Sequence, residues 1–310
     1  MAKLRKTERQ IWRAIDQIQN RFERELLTNY KEALDKIRVD LQKIFDKYSV
    51  NGKLTNAEMT KFNRLTKLND QLTETMGPVF SKNGRLVERL SEVEYQEAFY
   101  RYGWAIQQDA QVALKWGLLN DETVKAAVAN DLRHIAKTGM RQNGLLGIRR
   151  AVTQGVIQGQ SYTKMAKEIK RFIDRSASGY IRIARTEGQR AAVLGQLAAA
   201  DESEELGVEI KRIWDATLDM ATRPEHGDLD GKAAGKDGMF NTSVGPVAGP
   251  TLSGVASFDI NCRCRVREEV TGFEPKIRRI RDEGLKPYET YKSWAKRNGI
   301  KKNKYGAKLK

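Results

Sequence analysis

Two cysteines and two histidines are all that this 310-residue chain offers of the side chains that most often hold transition metals. Six prolines in the whole chain leave long stretches with nothing to interrupt a helix. No run of about 18 apolar residues occurs, which excludes a membrane-spanning helix. The basic start, Met1 to Lys6, leads into the charged helical pattern of Arg9 to Arg13 instead of an apolar signal segment, so no cleaved export signal is expected. There is no His-Glu-x-x-His helix, no glycine-rich phosphate loop ending in Lys-Ser/Thr, and no nucleophile elbow around a serine. Those absences remove the commonest metallopeptidase, nucleotide-hydrolase and esterase readings. No internal repeat or low-complexity segment is evident.

What is present begins with charge. The chain carries 56 Lys and Arg against 40 Asp and Glu, a formal net charge of +16. Residues 271–310 hold 13 of the basic and 4 of the acidic residues, so more than half of the surplus sits in the tail. Lys276, Arg278, Arg279, Arg281, Lys296, Arg297, Lys301, Lys302 and Lys304 alternate there with Phe273, Tyr288, Tyr291, Trp294 and Tyr305. Such a mixture suits phosphate contact and aromatic packing, which makes double-stranded DNA, bound without sequence preference, the expected partner. A solvated basic tail that keeps the protein soluble is the alternative.

With 40% hydrophobic residues the chain can bury a sizeable core, and its length suggests two or three structural units. From Thr7 to Tyr48 apolar residues recur at three- and four-residue steps, from Ile11, Ile15 and Ile18 to Leu41, Ile44 and Tyr48, predicting one helix of about 40 residues. A second helix is expected from Thr55 or Asn56 to about Thr75. After Gly77-Pro78 a third runs from about Leu86 to Trp104. Shorter helices follow over 105–116, 121–136, 144–157 and 162–173, and an alanine-rich one ends near Ala200. Residues 208–216 read as a strand. The expected fold is therefore α+β and predominantly helical. It comprises a long-helix docking region over 1–104, a compact helical domain with a small sheet over 105–270, and the basic tail over 271–310.

The rare side chains concentrate in one place. Cys262 and Cys264 stand one residue apart in Asn-Cys-Arg-Cys, 36 residues after His226, at the end of a glycine- and proline-containing loop whose length implies a function or a tie other than apolar burial. Thiolate and imidazole are ligands zinc favours, so one structural zinc is the cofactor considered, held by His226, Cys262 and Cys264, with Asp219, Asp228 or Asp230 as the fourth donor. Two other arrangements fit the same residues. The cysteines, at i and i+2, can be small strand residues facing one side of a sheet, with His226 bonded to Asp219. They can also form a strained disulfide once outside a reducing compartment. His134 reads as a helix-surface residue. Arg185, Glu187, Asp219, Arg223 and Asp230 are candidates for an ion-pair and hydrogen-bond network that shapes the loop. A metal-dependent nuclease built on Asp219, Glu225, His226 and Asp230 is the enzymatic alternative.

From Gly144 to Val270 the sequence resembles the phage Mu protein F-like, or head morphogenesis, family of minor head proteins. The resemblance is carried by Ile183-Ala-Arg-Thr-Glu187 before the alanine-rich helix, then by Trp214, Thr217 and Asp219 in a Trp-x-x-Thr-x-Asp segment. Arg223, His226, Leu229-Asp-Gly231, Phe240, Pro250 and the closing Asn-Cys-Arg-Cys complete it. The chain lacks an arginine that many relatives carry between the aspartate and Arg223, so no role of that charge transfers. The resemblance implies a low-copy virion component inside the head. It also implies portal protein and inner capsid or scaffold as partners, with assembly in the host cytoplasm; the missing catalytic motifs, and not the resemblance, make a non-enzymatic role the expectation.

Overall fold

The structure, a computed structural model, describes residues 2–110, 116–271, 296, 297 and 299, with the side chains of 2–6 and 131–137 outside that description. The fold class is the expected one: mostly helix, with two small antiparallel sheets toward the C-terminal end. The elements are α1 (Ala2–Tyr48), α2 (Asn56–Thr60), a 3₁₀ turn (Lys61–Asn63), α3 (Arg64–Ala110), α4 (Asp121–Val128), α5 (Asp131–Ile157) and α6 (Tyr162–Glu205). Then come β1 (Glu209–Asp215), α7 (Pro224–Asp228), β2 (Phe240–Thr242), β3 (Gly245–Val247), α8 (Ala256–Asp259) and β4 (Arg265–Thr271).

The expected first helix and strand are found nearly as read, but several predicted interruptions are not, that between Trp104 and residue 105 among them. α3 runs through Gly77-Pro78 because its apolar stripe does not pause there: Leu68, Leu72, Met76 and Phe80 are all buried at four-residue steps across the proline. Gly77 lowers the cost, since a preceding residue without Cβ avoids part of the clash with the proline ring. Pro78 still leaves one helical carbonyl without its donor, so Pro78→Ala should stabilise the protein by about 1–3 kcal/mol, read as a higher melting temperature. α6 likewise runs unbroken from Tyr162 to Glu205. The break expected near residue 140 instead falls at Ala129-Asn130, between α4 and α5.

The chain divides into two compact units, and α1, α3 and α6 contribute to both. One gathers the described residues within 22–88 and 130–183 and is a bundle of helices. Its core includes the ring cluster of Tyr30, Phe80 and Tyr180, with centroids 6.0–6.3 Å apart. Beside it Asn29 Nδ2 donates to Asn83 Oδ1 at 2.7 Å in the buried interior, and Lys82 Nζ donates to Asn29 Oδ1 at 2.7 Å. A buried amide pair of this kind fixes the register of α1 on α3, because sliding either helix leaves polar groups unsatisfied.

The other unit gathers the described residues within 1–21, 89–129 and 184–310. The alanine-rich part of α6 forms its spine. A Cβ at Gly195 would lie 2.2 Å from the Tyr95 carbonyl oxygen, so α3 and α6 approach there at a distance only glycine allows. β1 and β4 pair antiparallel, with Trp214 opposite Val266 and Asp215 opposite Arg265. The core joins Ile11, Trp12, Phe99, Tyr102, Val193 and Leu197 to Trp214, Phe240, Phe258, Cys262, Cys264 and Val266.

This core also contains a carboxylate at a cost. Glu268 on β4 is 1% exposed with neither carboxylate oxygen hydrogen-bonded, and its backbone N–H donates to Glu8 Oε1 at 3.0 Å. Burial first, then the charges of Glu8 and Glu204, push its pKa well above the ordinary 4.5, against the opposing pull of Arg212. A raised folded-state pKa means the stabilising form is the protonated one. That stability is complete below the unfolded value and is lost as pH rises from there through the folded value. Glu268→Gln should therefore raise the melting temperature at pH 8 and change it little near pH 4.

Candidate metal centre

The three rare side chains meet. His226 Nδ1 lies 3.4 Å from Cys262 Sγ and 3.5 Å from Cys264 Sγ, and the three donor atoms lie within 4.8 Å of one another. All three residues are buried, and both cysteines are free thiols. The local sequence explains the convergence. Pro224 at the first position of α7 presets the helical φ, and this five-residue helix carries His226 inward. On the other side Asn261 adopts a left-handed φ of 58°, a conformation asparagine tolerates better than most residues. Beyond it exposure alternates: Cys262 buried, Arg263 exposed, Cys264 buried. Alternation on an extended segment puts both sulfurs on one side, which is how a one-residue spacing can serve a single ion.

The wall around these atoms is aromatic. Phe258 lies 4.3 Å from the His226 ring by centroid, and Trp214 meets it edge-on at 5.7 Å. Phe240 and Phe258 flank Trp214 in turn. His226 Nε2 is buried with no hydrogen-bond partner, so Nδ1 is the only ring nitrogen directed at a chemical partner. The sulfurs are not equivalent. Cys264 is pushed down to about 4, chiefly because Cys262 donates to its thiolate and then because His226 bonds to it; Cys262, as the proton holder, is driven up.

Two sulfurs and an imidazole are donors of the kind zinc takes, and among the described residues no fourth protein donor joins the three. With Zn–S near 2.3 Å and Zn–N near 2.0 Å, a tetrahedral site has S···N edges of about 3.5 Å. Both observed Sγ–Nδ1 separations match that edge. A zinc ion would be held by Cys262, Cys264 and His226, and it would tie α7 to the segment entering β4.

The other residues singled out in the sequence surround this centre as separate pins. Asp219 accepts from Arg263 Nη2 at 2.6 Å and is also bonded by Arg263 Nη1, so its carboxylate is engaged outside the donor cluster. That pairing holds Asp219 down to about 2. Thr217 Oγ1 donates to the Arg263 carbonyl at 2.8 Å, and Arg223 Nη2 donates to the Ile260 carbonyl at 2.7 Å. Asp230 accepts from the Ala216 N–H at 2.9 Å. Gly231, at φ 74°, donates to the Trp214 carbonyl at 2.8 Å. Glu187 pairs with Arg190, which donates to the carbonyls of Val128 and Ala129 at the end of α4. Arg185 lies on α6, one residue before Thr186. Asp219, Arg223 and Asp230 thus fasten loop segments beside the centre, and Glu187 reaches the end of α4 through Arg190. The acidic residues of the nuclease alternative do not converge: Asp219 and Asp230 are bonded as above, and Glu225 accepts the Ser243 N–H at 2.8 Å.

Sequence reading missed the helix face that holds the cysteine segment. Thr186 Oγ1 accepts from the Asn261 N–H at 3.2 Å. Gln189 Nε2 donates to the Cys264 carbonyl at 2.9 Å, and Gln196 Nε2 donates to the Val266 carbonyl at 2.8 Å. With Val193 they form a 3-4-3 stripe on α6. Polar residues inside an alanine-rich buried stripe were the available signal. Lys296 and Arg297 are exposed, while Lys276, Arg278, Arg279, Arg281, Lys301, Lys302 and Lys304 lie outside the described residues, as does the side chain of His134.

Comparison with known proteins supplies an independent line. The sequence profile of the family described as Phage Mu protein F like protein matches residues 147–267. The minor head protein GP7 of Bacillus phage SPP1 is 30% identical over 272 residues, covering 86% of this chain and 88% of that protein. The NAD(+)--arginine ADP-ribosyltransferase EFV of Enterococcus faecalis (strain ATCC 700802 / V583) is 27% identical over 276 residues. That alignment covers 87% of this chain and 56% of the enzyme, so the chain spans little more than half of this second relative. No solved structure matches the chain.

Proposed function

The chain belongs to the phage Mu protein F-like family of minor head proteins, and from that premise we propose that it is a structural component of a phage head, acting in head morphogenesis from inside the capsid. The observation that carries this reading is the reach of the similarity to the SPP1 minor head protein. It covers 86% of the chain, far more than the 147–267 segment of the family profile, so it must include long-helix sequence as well as the cysteine-containing unit. In this reading residues 1–104 dock on the portal and inner capsid, residues 105–270 form the head-morphogenesis domain, and the basic tail over 271–310 touches packaged DNA. One zinc ion, held by His226, Cys262 and Cys264, is a structural tie within the domain.

Docking is tested with the portal ring of the same phage: co-purification of the two proteins supports it, and failure to associate with portal or empty heads refutes it. DNA contact has its own test. Binding to double-stranded DNA should weaken by several orders of magnitude between about 50 and 200 mM salt and should be largely lost when residues 271–310 are deleted. Salt-insensitive binding, or binding that survives the deletion, contradicts the tail assignment. ADP-ribosyl transfer would draw on the second relative's name alone, and the aligned portion is only 56% of that enzyme. Turnover of NAD⁺ by the purified chain would reverse that order.

A further inference from the structure

One face of α6 carries charge of nearly one sign. From Tyr162 to Ile183 the helix holds six basic residues, Lys164, Lys167, Lys170, Arg171, Arg175 and Arg182, against two acidic ones, Glu168 and Asp174. Both acids are already taken, Glu168 by Arg171 at 3.0 Å and Asp174 by Lys170. Lys164, Lys167 and Arg175 have no ion-pair partner among the described residues.

Helical spacing makes these side chains one surface. Lys164, Lys167, Arg171, Arg175 and Arg182 follow steps of three, four, four and seven residues, so they form a row along the helix, about 27 Å from end to end. All five are exposed. The buried residues Ile169, Ile173, Ala177 and Tyr180 each stand two positions from a member of the row, about 200° around the helix, which turns the row to solvent. The inner face is packed closely on α5: a Cβ at Gly147 would lie 2.4 Å from the Phe172 ring, and one at Gly155 would lie 2.6 Å from Met165 Cε.

Such a row works against the bare protein. Like charges three and four residues apart repel and destabilise a helix. The basic excess of the chain does not require it, because α1 in the same unit mixes five basic with four acidic residues from Lys31 to Lys47. The partner is read from what the row lacks. No large apolar side chain of α6 between Lys164 and Arg182 is exposed, so the row has no centre of the kind that a protein contact buries. Regularly spaced cations without apolar neighbours match a partner whose own charge is regular, the phosphate backbone of duplex DNA.

We propose that the outer face of α6, from Lys164 to Arg182, is a phosphate-binding rail for double-stranded DNA. This rests on the reading that the chain touches packaged DNA, and it adds to the tail a surface inside the folded helical unit. Four or five phosphate contacts strengthen those of the tail and are weak without them.

The experiment measures affinity of the full-length chain for a random-sequence DNA duplex between about 50 and 200 mM salt. One variant carries Lys164→Gln, Lys167→Gln, Arg171→Gln and Arg175→Gln. A control carries Lys31→Gln, Lys36→Gln, Lys43→Gln and Lys47→Gln, which removes the same charge from α1. Circular dichroism of each runs alongside. The expected slope of log affinity against log salt is shallower by about three to four in the α6 variant and within about one of the parent in the control, with helix content unchanged in both. Equal losses in the two variants would overturn the rail and reduce the effect to net charge. A parent that binds DNA, with an α6 variant of unchanged slope, would overturn the rail and leave the tail reading intact. A parent that binds no duplex at about 50 mM salt would overturn the DNA reading and the rail with it. Loss of portal binding by the α6 variant, with DNA binding retained, would overturn the proposal in favour of an acidic protein partner.

Discussion

Replacing Cys262 and Cys264 together by serine is expected to remove one equivalent of bound zinc and to lower stability by about 4 kcal/mol, a fall of roughly 10 °C in melting temperature. The size of the effect follows from what the centre joins. α7 and the segment entering β4 are tied through buried atoms, and the same segment is fastened to α6 by Thr186, Gln189 and Gln196. Serine's hydroxyl is a poor zinc ligand, so the tie is lost even though it can still hydrogen-bond His226 Nδ1, and Nε2 stays buried with no partner. A strong chelator should reproduce the loss in the parent protein and have no further effect on the double variant. A parent that contains no zinc when purified without chelator, and whose melting is indifferent to added zinc, would leave the residues as a buried thiol–imidazole packing cluster.

Gly195→Ala should be of similar severity for a different reason. The added methyl would sit 2.2 Å from the backbone oxygen of Tyr95, and backbone cannot swing aside as a side chain can. α3 and α6 would have to separate along a tightly packed face that includes Ala191, Ala192, Val193 and Ala199. Overpacking of this kind costs about 3 kcal/mol or more. Gly227→Ala is the matched control, since its methyl would meet nothing within 4 Å and its φ is not positive. A melting temperature unchanged in both variants would show that the two helices do not approach as closely as described.

Much of this was legible in the residues themselves. The stepping from Ile11 to Tyr48 produced α1, and the alternation after Gly207 produced β1, because both periods follow directly from burying one face. His226, Cys262 and Cys264 could be paired by rarity alone. What could not be read was anything set by a distant partner. Gly77-Pro78 looked like a break because local propensity disfavours helix there, whereas the buried side chains on both sides of it carry the helix through. Asp219 looked like a metal ligand because carboxylates are common ligands, but Arg263, the residue between the cysteines, claims it. The single helix expected from Thr55 or Asn56 to about Thr75 is split by the turn at Lys61–Asn63, where Phe62 and Asn63 take positive φ values that no local pattern signals.

The central claim, that this is a structural component of a phage head, is tested most directly by quantitative mass spectrometry of purified heads from the parent phage and from one lacking the gene. The account predicts that the chain is present in parent heads at few copies, and that mutant heads lack it and show reduced assembly or infectivity, restored by the gene supplied in trans. Absence of the chain from parent heads, or mutant heads of unchanged composition, yield and infectivity, would contradict it.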